Sequence, residues 1–249
     1  MREDEIMEKV ETYERPDHYN PAESSEGVYD FTGHNFLRKS FLHMTLGILV
    51  TAVVALYLLF VNHRLLYTAV TSLTLVALVQ LGVVIILSFM IRKLSAVAAT
   101  LLFYLYAALT GVTFAAVGAV YSVNSIIYTL LITLAIFITL SVYGYMTKED
   151  LQGYGRFFFI GLVALMLVSV FNLWFKVPAL YWAGTVGGIA IFTLLIAYDV
   201  NRIKRWSYEL MAEDPSMAKK MGIIGALELY LDFVNLFLYL LRIFGRRKN

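Results

Sequence analysis

The sequence predicts an all-α polytopic membrane protein, a bundle of seven transmembrane helices, from three observations. Hydrophobic residues make up 60% of the 249 residues and charged residues only 15%, and the mean hydropathy is +0.72. A soluble domain of this length needs more charge to cover its surface. The apolar residues fall into seven runs of roughly 20 residues, the length of a helix that crosses the hydrocarbon layer. Helices also satisfy their own backbone groups in lipid, and the runs are too long for barrel strands.

The chain before the first apolar run differs in charge from the rest. Residues 1–40 contain ten of the eighteen acids but only five of the twenty basic residues, so the remainder has fifteen basic residues against eight acids, a formal +7. The start lacks a short apolar core followed by a cleavage site, so we do not expect a signal peptide. We expect residues 1–35 to form a polar, acidic, disordered tail and residues 36–249 to form the seven-helix transmembrane domain.

Seven runs are long enough to span the membrane. They cover residues 41–61, 67–91, 96–121, 125–146, 157–175, 178–198 and 222–244. The connections are short, except for the polar stretch 201–220, which we expect to be a connecting segment. The seventh run is the least apolar of the set.

The distribution of Lys and Arg predicts the orientation in the membrane. Five basic residues precede the first span and five lie between the sixth and seventh, whereas the first connection has only Arg64 and the third has none. Because cytoplasmic segments are enriched in Lys and Arg, we expect a cytoplasmic amino terminus. The basic residues at the carboxyl end would then lie outside, against this rule. The seventh segment is therefore either a full crossing, which we favour because 23 residues suffice, or a re-entrant segment.

Three acids lie within the predicted membrane region: Asp199, Glu228 and Asp232. An ionised carboxylate at membrane depth is costly unless it is paired or hydrated, so such residues usually mark an ion path or a proton relay. Asp199 falls near the inner end of the sixth span, and Asp232 about 15 Å along the seventh. Two structural alternatives stay open. Asp199 can be a boundary residue in headgroup water, and Asp232 can pair with Arg92 or Arg242.

Two further patterns concern helix packing. A polar stripe follows one face of the seventh span and contains Glu228, Asp232, Asn235, Tyr239 and Arg242. A helix with such a stripe is expected inside a bundle, enclosed by its neighbours. Small residues recur at helical spacing in the third and sixth spans and predict close helix contacts; they are Gly111, Ala115, Gly118, Ala119, Gly184 and Gly188.

Several kinds of site are excluded or disfavoured by residue content. There is no cysteine, so disulfides, thiolate chemistry and Cys-based metal sites are ruled out. The four histidines lack HxxH or HExxH spacing, and neither a phosphate-binding Gly loop nor a dinucleotide fingerprint is present. We therefore expect no cofactor and no nucleic-acid partner.

Two long stretches resemble the transmembrane Bax inhibitor motif family. They are Ala197-Tyr-Asp-Val-Asn-Arg-Ile-Lys and Leu227-Glu-Leu-Tyr-Leu-Asp-Phe-Val-Asn-Leu-Phe-Leu-Tyr-Leu-Leu-Arg. The resemblance covers about residues 36–245 and includes Phe171-Asn172 and Thr110-Gly111-Val112-Thr113. It implies a seven-helix bundle whose last helix is central, in a pH-sensitive calcium leak.

The same resemblance implies roles for individual residues. The aspartate pair that binds calcium or shares a proton corresponds to Asp199 and Asp232. The arginine that bonds to this pair in bacterial relatives corresponds to Arg92, with Lys93 as the competing assignment. The chain departs from the family in two respects. Gln80 and Leu81 stand where some relatives have a glutamate, and Glu228 is an acid where a bacterial relative has a small polar residue.

The residues and the resemblance together predict a mechanism. Two carboxylates a few ångströms apart resist joint ionisation, so the pair can hold one shared proton near neutral pH. Asp199, Asp232 and Glu228 supply the hard oxygen ligands that calcium prefers, at a weak site suited to conduction. Arg92 would pair with Asp199 and keep the path closed until a proton or calcium competes. Calcium and the lipid bilayer are the expected partners, in a bacterial plasma membrane.

Two other classes of function share features with this sequence. Paired aspartates on membrane helices are also found in intramembrane aspartyl proteases, but the expected Gly-x-Gly-Asp is replaced by Leu229-Tyr-Leu before Asp232. We therefore do not expect an enzyme. The other alternative is a non-conducting regulator that binds membrane proteins, such as a protease or cell-death factors, with the acidic tail as its contact region.

Overall fold

The computed structural model describes residues 21–91, 93–213 and 215–248. These residues form eight α-helices and a short 3₁₀ turn, Leu151–Tyr154, and they contain no strand longer than one isolated bridge. The all-α prediction is confirmed. In chain order the helices are α1 (Pro21–Phe60), α2 (His63–Thr71), α3 (Leu73–Met90), α4 (Ala96–Val120), α5 (Val123–Met146), α6 (Gly155–Phe175), α7 (Pro178–Glu213) and α8 (Pro215–Phe244).

The described residues contain seven segments that are long and apolar enough to cross a membrane. This confirms the predicted number, and each segment overlaps the predicted one. Large apolar side chains face outward along them, as expected where lipid replaces water. The segments are Phe36–Phe60, Leu73–Met90, Ala96–Val120, Val123–Met146, Leu151–Phe175, Pro178–Ser207 and Lys219–Phe244.

The second span begins six residues later than expected, at Leu73 rather than at residue 67. A separate short helix, α2, precedes it, and Ser72 lies between them outside helical geometry. The hydroxyl groups of Thr68 and Thr71 donate to backbone carbonyls of the preceding turn. The same kind of bond occurs within unbroken helices, for example from Thr100 to Ala96, so the position of this break has no explanation in these hydrogen bonds.

The polar stretch 201–220 is helical in its described part, which corrects the prediction of a connecting segment. Helix α7 continues to Glu213 and α8 begins at Pro215. Arg, Lys, Glu, Leu and Met are strong helix formers, so the loss of apolarity after Tyr198 does not end the helix. The break falls where Pro215 takes the first position of the next helix. The charged residues after Asp199 are therefore spaced as on a helix.

The predicted tail is only partly described. Residues 1–20 lie outside the described residues, and the backbone from Pro21 onward belongs to α1. The disorder of residues 1–35 stays a prediction.

Helix α8 is the most covered of the seven spans. In its most apolar stretch 72% of the residues are buried, against 33% or less in the others. It packs against α1, α4, α5 and α7. Tyr230 is fully buried on it, edge-on to Phe103 and Tyr106, and its hydroxyl lies 2.6 Å from Thr51 Oγ1. Burial describes how much of a helix is covered rather than where its axis lies, so its central position stays a prediction.

The last segment is one continuous helix whose end pairs with the connection between α4 and α5. The amide of Ser122 donates to the carbonyl of Arg246 at 2.9 Å, and the amide of Lys248 donates to the carbonyl of Val120 at 2.8 Å. Both ends of this contact must lie at one face of the bundle. Helices that cross in alternation bring these two segments to the same face only if α8 crosses fully, which favours the full crossing over the re-entrant alternative.

Gly144 lets α5 approach α7 at backbone distance, since a Cβ atom there would collide with the backbone of Ala197. We predict that Gly144→Ala lowers the free energy of unfolding by about 1–3 kcal/mol, because the two helices must move apart. Thermal unfolding in detergent measures this change. Gly82→Ala is the matched control, because no atom lies within 4 Å of its Cβ position. Equal midpoints for Gly144→Ala and the unmodified protein would contradict the close contact.

Candidate functional site

The two aspartates singled out in the sequence meet between α7 and α8. Asp199 lies about 21 Å before the end of α7, and Asp232 about 26 Å after the start of α8, so the antiparallel helices bring them to similar depth. Both are buried, with 5% and 4% of their surface exposed. Their carboxyl groups are within hydrogen-bonding reach of each other. The pair is therefore formed inside the membrane region.

Arg202 connects this pair to the third acid. Its Nη2 atom lies 2.9 Å from Asp199 Oδ1 and 2.6 Å from Glu228 Oε2. Arg202 and Asp199 are one turn apart on α7, whereas Glu228 is on α8. About a quarter of the side-chain surface of Arg202 and of Glu228 is exposed. The guanidinium group thus forms an ionic link between the two helices that carry the aspartates.

Aromatic rings hold the guanidinium group from two sides. Its carbon lies 5.1 Å from the ring centre of Tyr198 and 4.8 Å from that of Trp206. Rings at these distances attract a cation electrostatically. Tyr198 packs in turn on Phe158 of α6. The position of Arg202 is therefore set by its ion pairs and by stacking, both of which depend on α7 continuing as a helix.

The charges of the cluster do not balance. With every group ionised, the three carboxylates and one guanidinium would carry a net −2. Asp232 Oδ2 is buried and accepts no hydrogen bond from a described residue. Two carboxylates in contact need a proton or a cation between them, since joint ionisation at close range is unfavourable. The arrangement is therefore suited to hold a proton or a cation between Asp199 and Asp232.

Glu228, the third predicted metal ligand, does not face the aspartate pair. Glu228 faces Arg202, while Asp199 and Asp232 face each other. Within the described ranges no three His, Cys, Asp or Glu side chains are spaced to hold one metal ion. Metal binding by Asp199, Asp232 and Glu228 together stays a prediction, and it would require Glu228 to leave Arg202.

The predicted partner of the aspartates cannot be placed. Arg92 lies outside the described residues, so its pairing with Asp199 stays a prediction. Lys93, the competing assignment, is exposed and forms no ion pair with a described side chain. The cation that contacts Asp199 in the structure is Arg202.

Sequence reasoning missed the role of Arg202 although a signal was present. Residues three apart on a helix face each other, so an arginine three positions after a buried aspartate is its natural ion partner. The signal was not used because residues 201–220 were expected to connect two helices.

Asn201 was missed for the same reason. Its side-chain Nδ2 donates to the backbone carbonyls of Gly144 and Glu149, and its side-chain Oδ1 accepts from the backbone amide of Leu151. Asn201 thus fixes the connection between α5 and α6 to the middle of α7, two residues from Asp199.

The polar stripe on α8 divides into two parts. Glu228 and Asp232 belong to the cluster, whereas Tyr239 stacks on Phe192 and contacts the small residue Gly188. The guanidinium group of Arg242 lies over the rings of Tyr181 and Tyr239. The part of the stripe formed by Tyr239 and Arg242 is therefore an aromatic packing surface between α7 and α8.

Comparisons with known proteins give consistent matches. The family model "Inhibitor of apoptosis-promoting Bax1" matches residues 33–249. The inner membrane protein YbhL of Escherichia coli K12 is 46% identical over 129 residues, 52% of this chain and 55% of that protein. An uncharacterized protein of Borreliella burgdorferi is 39% identical over 130 residues, 52% of this chain and 56% of the relative. The chain thus spans about half the length of the curated relatives it matches.

The ion pairs of Arg202 lead to a prediction about stability. We expect Arg202→Gln to lower the free energy of unfolding by about 3 kcal/mol, because it leaves two largely buried carboxylates without their cation. Denaturant or thermal unfolding in detergent measures the loss. Adding Glu228→Gln should recover part of it, since one of the unpaired charges is then removed.

Arg205→Gln is the control on the same helix. Arg205 pairs with Asp150 at 3.4 Å, and their side chains are 34% and 60% exposed. Its loss should therefore cost less than about 1 kcal/mol. If both arginine variants lost the same free energy of unfolding, the ion pairs of Arg202 would contribute no more to stability than an exposed ion pair does.

Proposed function

The chain belongs to the Bax inhibitor family of membrane proteins, and on that basis we propose that it is a pH-sensitive passive leak channel for calcium. The seven apolar helices and the inner membrane relative make it a multi-pass integral membrane protein. In this proposal Asp199 and Asp232 gate the ion path, and the protein neither catalyses a reaction nor needs a resident cofactor. Its amino terminus faces the cytoplasm of a bacterial cell.

The observation that carries the proposal is the contact between two buried carboxyl groups inside the membrane region. Apolar side chains of similar size would pack the helices at least as well as such a pair. Intramembrane acids that face the bundle interior typically serve ion or proton movement. Asp232 Oδ2 supports this use, since it is buried and accepts no hydrogen bond from a described donor, so it can take a proton or a cation.

Calcium fits the chemistry of the pair. It takes six to eight oxygen ligands at about 2.3–2.6 Å, and carboxylates, carbonyls and waters all serve. Two carboxylates with waters form a weak site, and a conducting path needs sites that release the ion. Glu228 would join as a third carboxylate only after Arg202 has moved.

In this mechanism Arg202 is the latch, meaning the cation whose ion pairs keep the ion path closed. It links Asp199 on α7 to Glu228 on α8 and occupies the carboxylate that calcium would need. A proton on either acid weakens the link, and calcium at Asp199 competes with it directly. Arg92 stays a second candidate for the latch, as the resemblance implies.

The aspartates themselves are tested by flux. We predict that Asp199→Asn and Asp232→Asn each lower calcium efflux from reconstituted vesicles about tenfold or more, because each removes one of two anionic ligands. Asp150→Asn, at an exposed acid in the connection before α6, should leave efflux unchanged. Unchanged efflux in both aspartate variants would contradict gating by the pair, and efflux no greater than that of protein-free vesicles would favour the non-conducting regulator.

The latch predicts a direction for the pH dependence. Calcium efflux should rise as the pH falls, because protonation of Glu228 loosens its bond to Arg202 without removing a carboxylate ligand from the aspartate pair. Arg202→Gln should raise efflux at neutral pH and flatten the pH profile, whereas Arg205→Gln should keep both. Efflux that falls on acidification, or an unchanged profile in Arg202→Gln, would contradict the latch. The measurement is vesicle efflux over a pH series.

A further inference from the structure

A cleft of about 430 Å³ opens between the starts of three spans, away from the aspartates. It lies between α1, α4 and α8, and its lining includes Lys39, His43 and Lys219. Lys219 begins the last span, and Lys39 lies one turn after Phe36, where the first span begins. Ala96, the first residue of α4, also lines it. The cleft therefore lies where the bundle meets one membrane–water interface.

The cleft is positively charged. Lys39 and Lys219 are both exposed, and neither forms an ion pair with a side chain that the structure describes. Among the described side chains, its lining contains no acid. The amino terminus of α4 adds the positive end of a helix dipole. His43 is held beside it by a 2.9 Å hydrogen bond between its Nδ1 atom and the hydroxyl of Tyr104.

The rest of the lining is apolar and opens toward lipid. Val97 and Leu101 are 69% and 66% exposed, on the outer face of α4. Phe36 and Ile223 are buried and form the floor. A soluble anion would use the lysines alone, whereas a molecule with a charged head and an apolar chain would use both parts.

We propose that this cleft binds an anionic phospholipid, with its phosphate group between Lys39 and Lys219 and its acyl chain along Val97 and Leu101. Basic pockets between transmembrane helices bind acidic headgroups in this way. The complementary charge and the lipid-facing wall both argue for a phospholipid from the surrounding leaflet. The proposal does not depend on calcium conduction.

The test is lipid binding by the intact protein in detergent. Native mass spectrometry counts phosphatidylglycerol and phosphatidylcholine molecules retained as each lipid is titrated. Lys39→Gln with Lys219→Gln should weaken phosphatidylglycerol binding about 30-fold, since each lysine near a lipid phosphate contributes about fivefold. Phosphatidylcholine binding should be weak in both proteins.

The control removes the same charge at the same end of the bundle. Lys148→Gln with Arg156→Gln changes two exposed basic residues, one in the connection between α5 and α6 and one in the first turn of α6, and it should leave phosphatidylglycerol binding intact. Thr100→Trp fills the cleft and keeps both lysines, so it should also abolish binding. Thermal unfolding checks that each variant is folded.

Three outcomes would overturn the proposal. Equal loss in the two double variants would mean diffuse attraction to charge, and full binding by Thr100→Trp would place the lipid elsewhere. Displacement of phosphatidylglycerol by inorganic phosphate at similar concentration would make the cleft a site for soluble anions.

Discussion

Charge that is buried within a membrane must be neutralised by a counter-charge or a proton, and in this protein the charges that require it lie between α7 and α8. Arg202 contacts Asp199 and Glu228 there, Asp199 also contacts Asp232, and the one arginine does not neutralise the three acids. The excess negative charge makes the cluster depend on a proton or a cation. The proposed function depends on this excess of negative charge. A cluster whose charges were fully neutralised by protein side chains could still join the two helices, but it would have no place for an ion.

The remaining helices position this cluster. Close approach at Gly144 brings α5 against α7, and Asn201 ties the α5–α6 connection to α7 near Asp199. At the opposite end, the segment after α8 pairs with the connection between α4 and α5. Helix α7 is therefore fixed to α5 at one end of the bundle, and the segment after α8 is fixed to the start of α5 at the other, so a change in the cluster acts on elements whose surroundings are held.

Much of this could be predicted from the sequence, because apolar run length determines how many helices cross the membrane. Asp199 and Asp232 could be found since acids in apolar runs are conspicuous. Arg202 was missed because hydropathy marks where lipid ends, not where a helix ends, and α7 continues well past that point. The break at Ser72 was missed for a related reason, since apolarity does not show where one helix ends and the next begins within an apolar run. Contact between side chains on different helices, such as Arg202 with Glu228, has no sequence signal in a single chain.

In the proposed mechanism a cation and Arg202 compete for the carboxylate of Asp199. Anomalous diffraction from calcium-soaked crystals, recorded at long wavelength, tests it most directly. The account predicts a calcium peak at about 2.3–2.6 Å from carboxylate oxygens of Asp199 and Asp232, with the guanidinium group of Arg202 withdrawn from Asp199. A peak elsewhere in the bundle, with Arg202 still bridging Asp199 and Glu228, would contradict it.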